Sequence, residues 1–191
     1  MMRTRTICAA VVLVGTMLGT AAVPAAAARA ATTRAAACPT GWGSQAKTDG
    51  DATATPVRDI RTGRHDCHDR MVVDLPGADR LGYSVRYVDR LYQDGSGRPV
   101  PVAGGAVLEV RVAAPAYAPE TGEPTYPARA GHPLPGVDLT GYRTFRDARF
   151  AGSFEGETQV GLGVRARLPF RVLELQDRIV IDVAHSWTEG S

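Results

Sequence analysis

The chain has 191 residues, 44% of them hydrophobic, with 22 basic against 20 acidic residues and a formal net charge of +2. Three of the 22 basic residues (Arg3, Arg5 and Arg29) fall in the first thirty positions, which leaves 19 basic against 20 acidic after them. That near-neutral remainder lacks the basic footprint that nucleic acid requires. Its length suits one domain of ordinary size, able to bury a core without a structural metal.

The N-terminus comes first in chain order. Met1 to Arg5 is cationic, Ile7 to Leu18 is an apolar run, Pro24 breaks it, and Ala25 to Ala30 offers several small-residue frames. This pattern predicts a secretory signal over residues 1–30, cleaved after Ala28 or Ala30. A spanning helix takes roughly 20 apolar residues; this run is shorter and none follows it. The expectation is an exported, extracytoplasmic protein with no stable membrane span after cleavage. Cys38 follows Ala35-Ala36-Ala37, without the leucine of a lipidation box. Loss of Cys8 with the leader leaves Cys38 and Cys67, and an oxidising compartment favours their pairing. That disulfide closes a loop of roughly 30 residues, worth about 3–4 kcal/mol on chain-entropy grounds. The alternatives are two free thiols, or Cys67 as a metal ligand.

Residues 31–55 are small or polar and read as a flexible arm lying on the surface, with Trp42 as its apolar anchor. From Pro56 the period becomes two. Strands are predicted over Val57–Thr62, Arg70–Leu75, Gly82–Val88, Ala106–Ala113, Thr158–Arg165, Pro169–Leu175 and Arg178–Ala184. Leu108, Val110 and Val112 face inward, with Glu109 and Arg111 outward. Asp94-Gly95-Ser96-Gly97 is a hairpin turn between Val88–Tyr92 and Arg98–Val102. Six prolines between Pro115 and Pro135 exclude a central strand or a helix. They mark a long loop or flap, with Tyr117 and Tyr126 able to tether it. Tyr142–Ala151 is ambiguous between strand and short helix. The fold class is all-β, about eight strands over residues 56–187, as a single sandwich or barrel-like domain.

Three clusters carry candidate chemistry. His65, Cys67 and His68 fall close together, but a structural zinc site wants four paired ligands and no second pair exists. Neither a metal nor a cofactor is expected, and Asp69 with Arg70 is read as an ion pair organising a turn. In Ser153-Phe154-Glu155-Gly156, Phe154 is read as core. Glu155 is a polar contact or a general acid lacking an evident partner carboxylate. In Gly161-Leu162-Gly163-Val164-Arg165-Ala166-Arg167, the two glycines and two arginines share the face opposite Val160, Leu162 and Val164. Bare glycines leave a flat strip that a ligand can approach, and the guanidinium groups suit carboxylates. The alternative is a sheet bend with two solvated arginines. Serine-hydrolase elbows, phosphate loops and zinc-protease helices are absent.

Trp42-Gly43, Arg61-x-Gly63-x-His65 with Asp69-Arg70, Gly82-Tyr83-x-Val85, Ser153-Phe154-Glu155-Gly156, Gly161-x-Gly163, Pro169-Phe170-Arg171-Val172 and Ile179-Val180-Ile181-Asp182 occur in that order. With this ordered set the chain resembles the AMIN-like domain proteins exported by actinobacteria, over about Cys38 to Trp187. The resemblance implies a β-sandwich-like fold and kinship with a domain that targets peptidoglycan. The resulting expectation is a non-catalytic envelope module binding peptidoglycan or a related wall polymer through Arg61, Glu155, Arg165 and Arg167. Two alternatives stand beside it: a secreted hydrolase with a dispersed carboxylate site, and a partner or inhibitor of an envelope protein using the 115–135 loop.

Overall fold

Alternation of apolar and polar residues turns into strands almost throughout. The computed structural model describes Cys38 and residues 41–187, and the expected leader lies outside the described residues. Eleven strands follow in order: β1 (Lys47–Asp49), β2 (Asp59–Arg64), β3 (His68–Asp74), β4 (Tyr83–Val88), β5 (Leu91–Tyr92), β6 (Pro99–Val100), β7 (Ala106–Val112), β8 (Phe145–Phe154), β9 (Glu157–Val164), β10 (Phe170–Leu175) and β11 (Arg178–Ala184). They form a five-stranded sheet, β1-β4-β7-β9-β8, a four-stranded sheet, β10-β11-β3-β2, and the small hairpin β5-β6. Every pairing is antiparallel. Neither large sheet closes on itself, so the barrel alternative gives way to an open sandwich. No helix among the described residues is long and apolar enough to cross a membrane.

One core lies between the inner faces. Leu108, Val110 and Val112 of β7 and Val160, Leu162 and Val164 of β9 meet Met71 and Val73 of β3 and Ile179, Ile181 and Val183 of β11. Each residue is taken from one side of its pleat, as the period of two requires. Tyr142–Ala151 resolves toward strand, since β8 runs through Phe145. The arm expected over 31–55 contributes a strand of its own, because Lys47–Asp49 pairs with β4. The Cys38–Cys67 disulfide is present and fastens the arm to the start of β3.

The proline-rich stretch packs on the body as an ordered loop. Tyr126 is buried in the core, and the Tyr117 hydroxyl accepts a hydrogen bond from Gly156 N–H at 3.2 Å. Residues 131–134 run along the free edge of β8 through Gly131 N–H to Phe150 O and Leu134 N–H to Ala148 O. Part of the edge that could recruit another strand is thereby covered.

Candidate functional site

Strand β9, between β7 and β8, is buried on both faces. Its inner face meets the core; its outer face is covered by the β5-β6 hairpin. Leu91, Val100 and Ala151 form a second small core there, with Val102 and Val107 packed against it. The glycines of β9 make room for it. A Cβ on Gly161 would collide with Leu91 and come within 2.8 Å of Val102 Cγ2, and one on Gly163 would collide with the Ala103 carbonyl. The strip expected to receive a ligand is therefore filled by the chain itself.

The same cover explains a buried charge that alternation assigns to solvent. Glu109 is 4% exposed. Its carboxylate accepts from Arg86 Nε at 2.8 Å and Gln159 Nε2 at 2.7 Å. Arg111, across the row, grips Asp94 through both terminal nitrogens at 2.6 and 2.7 Å and reaches Glu157 at 3.1 Å. Burial opposes the charged form of Arg111, but these acids outweigh it and raise its pKa.

Beside the hairpin lies an open groove. Its larger lobe, about 570 Å³, is walled by Leu91, Pro99, Val100 and Val102, with Arg90, Asp147 and Arg149 among its lining. Its smaller lobe, about 390 Å³, is lined by Tyr87, Gly104, Gly105 and Arg167 among others. Asp89, Val102 and Val107 border both lobes, so the two adjoin. Gly104 and Gly105, which line the smaller lobe, lie close on the end of β9. Gly104 has φ +142°, and a Cβ on Gly105 would collide with the Arg165 carbonyl.

Arg167 is fixed at this end of the groove. Its guanidinium carbon lies 5.1 Å from the Tyr87 ring centroid, and it donates to Ser44 O at 3.3 Å. The Tyr87 hydroxyl donates to Leu168 O at 2.7 Å and accepts from Leu168 N–H at 3.0 Å. Burial pushes the pKa of Tyr87 up, so the ring stays a neutral platform. Trp187, 54% exposed, donates from Nε1 to Arg167 O at 2.9 Å.

The outer face of the four-stranded sheet is also charged. Asp182 is fully buried. It accepts from Arg70 at 2.6 and 2.9 Å and from Arg171 at 2.8 Å. Burial raises its pKa, but these hydrogen bonds prevail and hold it below the usual value. Trp42 stacks over the Arg171 guanidinium at 4.5 Å and meets His68 edge-on, while His65 stacks on His68 at 4.5 Å. Burial is the main cause lowering the pKa of His68. Asp69 points the other way, into the interior, and accepts from Thr144 N–H at 2.6 Å and Phe145 N–H at 3.0 Å. Asp69 and Arg70 therefore do not pair with each other as expected; neighbours on a strand face opposite sides.

The four sequence-derived contact residues do not converge. Arg165 and Arg167 follow the end of β9, and Arg165 donates to the His185 carbonyl. Glu155 sits beyond the other end of that strand, about 25–30 Å away at the ordinary rise per residue. Arg61 lies on the other sheet, bonded to Asp74 at 2.5 Å. Phe154, expected in the core, is 48% exposed at the hairpin turn of β8 and β9. Glu155 lines a separate cleft with Asp94 and Glu157, both of which bind Arg111. The groove also takes residues that the sequence reading did not single out: Arg90 and Arg149 line its larger lobe and Tyr87 its smaller one. Cys67, held in the disulfide, is not a zinc ligand.

The model of the AMIN-like domain matches residues 55–185. No curated protein and no solved structure matches the chain.

Proposed function

The chain belongs to the AMIN-like domain family, and from that premise we propose that it is an exported, non-catalytic cell-envelope module that binds a carboxylate-bearing wall polymer, of which peptidoglycan is the leading candidate. The observation that carries this reading is Arg167. It is seated on Tyr87 at the mouth of a glycine-floored groove. A guanidinium held on an aromatic ring keeps its planar donors aimed and ready for a carboxylate. Exposed Trp187 beside it offers a ring face to a sugar or peptide. Arg165, at the same strand end, adds positive charge.

The test is retention of the purified protein on insoluble peptidoglycan at low and moderate salt. Retention that weakens with salt is expected, together with a loss of at least tenfold in Arg167→Ala and a smaller loss in Arg165→Ala. Absence of retention by the wild-type protein, or retention untouched in the double variant, overturns the reading.

A further inference from the structure

The larger lobe of the groove has a chemistry distinct from the Arg167 end. Its walls are aliphatic: Leu91, Val100, Val102 and Val107, with Pro99 and Pro101 at the rim. Among the described residues no aromatic side chain lines it, so they offer no ring for a sugar to stack on. About 570 Å³ of mostly apolar space with a few polar groups is the usual form of a small-ligand site.

Arg149 supplies the polar end. Its Nε is fixed on Asp147 at 2.8 and 2.9 Å, and its terminal nitrogens have no hydrogen-bond partner among the described residues. Asp147 is already occupied, since it also accepts from Ala103 N–H at 3.0 Å and Ala148 N–H at 2.9 Å. The formal charges of the lining balance, Asp89 and Asp147 against Arg90 and Arg149. With Asp147 engaged, the open hydrogen-bonding capacity lies mainly on the guanidinium groups. A pre-oriented guanidinium with both terminal nitrogens free matches a carboxylate in bidentate fashion. Asp89, at the junction of the lobes, is left as an acceptor for ligand N–H groups.

We infer that this lobe is the seat of a peptide C-terminus: a free carboxylate held by Arg149 and Arg90, on a chain of small aliphatic residues packed against Leu91, Val100 and Val102. The inference deepens the polymer-binding reading and rests on it, since the Arg167 lobe then receives the continuation of the same polymer. A peptide fits better than a fatty acid because only the peptide has N–H groups for Asp89.

The experiment is an NMR titration of the isotope-labelled protein with N-acetyl-alanyl-alanine, as the free acid and as the C-terminal amide. The free acid is expected to shift the signals of Leu91, Val100, Val102 and Arg149 saturably, and the amide to bind at least tenfold more weakly. Arg149→Gln abolishes the effect and Arg149→Lys keeps part of it. Arg90→Gln, at an exposed side chain with no hydrogen-bond or ion-pair partner among the described residues, weakens binding without touching the fold. Equal binding of acid and amide overturns the inference, as does binding unchanged in both Arg149→Gln and Arg90→Gln. Tighter saturation of the same signals by octanoate also overturns it. Retention on peptidoglycan is measured in parallel. Retention without peptide binding ends this inference alone, whereas peptide binding without retention ends the polymer reading and leaves the site.

Discussion

Leu91 rests directly on the bare α-carbon of Gly161, so that a methyl group there would occupy the space of its Cδ2. Gly161 and Gly163 have ordinary strand backbone angles, and the cost of a side chain at either is one of packing. Gly161→Ala displaces the ends of Leu91 and Val102, and overpacking of this kind costs about 1–3 kcal/mol. At Gly163 the obstacle is the Ala103 carbonyl, so the backbone of the segment between β6 and β7 must move and the loss is larger. Urea unfolding of the two alanine variants gives the comparison. Full stability in both would mean that the hairpin is not seated on β9.

Asp182 has no solvent exposure, whereas the side chains of Arg70 and Arg171 keep 26% and 33% of theirs. Asp182→Asn leaves both guanidinium groups without their anion, and a cost of about 3 kcal/mol is expected at neutral pH. The folded pKa of Asp182 lies below the ordinary 3.8. As pH falls, the unfolded chain is therefore protonated first. The contribution of the carboxylate is complete above that ordinary value and is lost as pH falls through the folded one. Wild type and Asp182→Asn should thus converge in stability in acid; a constant gap would contradict the assignment.

His68 gives the opposite end of the pH scale. Burial lowers its pKa from 6.5, with Asp182 opposing and His65, Arg70 and Arg171 reinforcing. The unfolded state takes up this proton more readily, so stability drops as pH falls from above 6.5 toward the folded value, then levels off. The difference in unfolding free energy between wild type and His68→Gln should therefore shrink over that interval. A difference independent of pH would show that His68 does not carry the titration.

How far the sequence could be read depends on whether a feature is local. Alternation makes β4, β7, β9 and β11 legible, and the turn at 94–97 correctly separates β5 from β6. Glu109 reads as outward because it occupies the polar phase of its strand, the phase that Asp182 takes in β11. Their burial comes from elements distant in sequence, the hairpin in one case and the arginines of β3 and β10 in the other. The glycines of β9 announce free space above the sheet, but period and composition do not say that Leu91 and Val102 fill it. Arg149 looks like any alternating surface arginine in the sequence, and its place beside Leu91 and Val100 depends on where the hairpin folds. β1 is three polar residues at a sheet edge and carries no pattern at all.

The Cys38–Cys67 link spans 29 positions and fastens a segment that is also held by noncovalent contacts. Trp42 packs on Arg171 and His68, the Gly43 carbonyl accepts from Phe170 N–H, and β1 pairs with β4. Replacing both cysteines by serine should cost about 3–4 kcal/mol, read from chemical unfolding of both proteins. Amide exchange in β1 should accelerate as well, since that strand lies at the edge of its sheet and, among the described residues, pairs with β4 alone. Unchanged stability would mean that the arm is held by its noncovalent contacts alone.

Glu155 holds a left-handed backbone conformation, φ 48°, followed by Gly156 at φ 83°. Two positive φ values in a two-residue hairpin loop are the turn that favours Asn-Gly, and a non-glycine residue there is strained by about 1–2 kcal/mol. Glu155→Asn relieves part of this and should stabilise the protein by about 0.5–1 kcal/mol, with Glu155→Gly behaving similarly. The strain also separates two accounts of the residue. If the glutamate is a contact for the wall polymer, the stabilised Asn variant binds peptidoglycan less well, a stability gain coupled to a functional loss. If retention is unchanged while stability rises, Glu155 is a tolerated turn residue and the binding surface is confined to the Arg167 end of β9 and its groove.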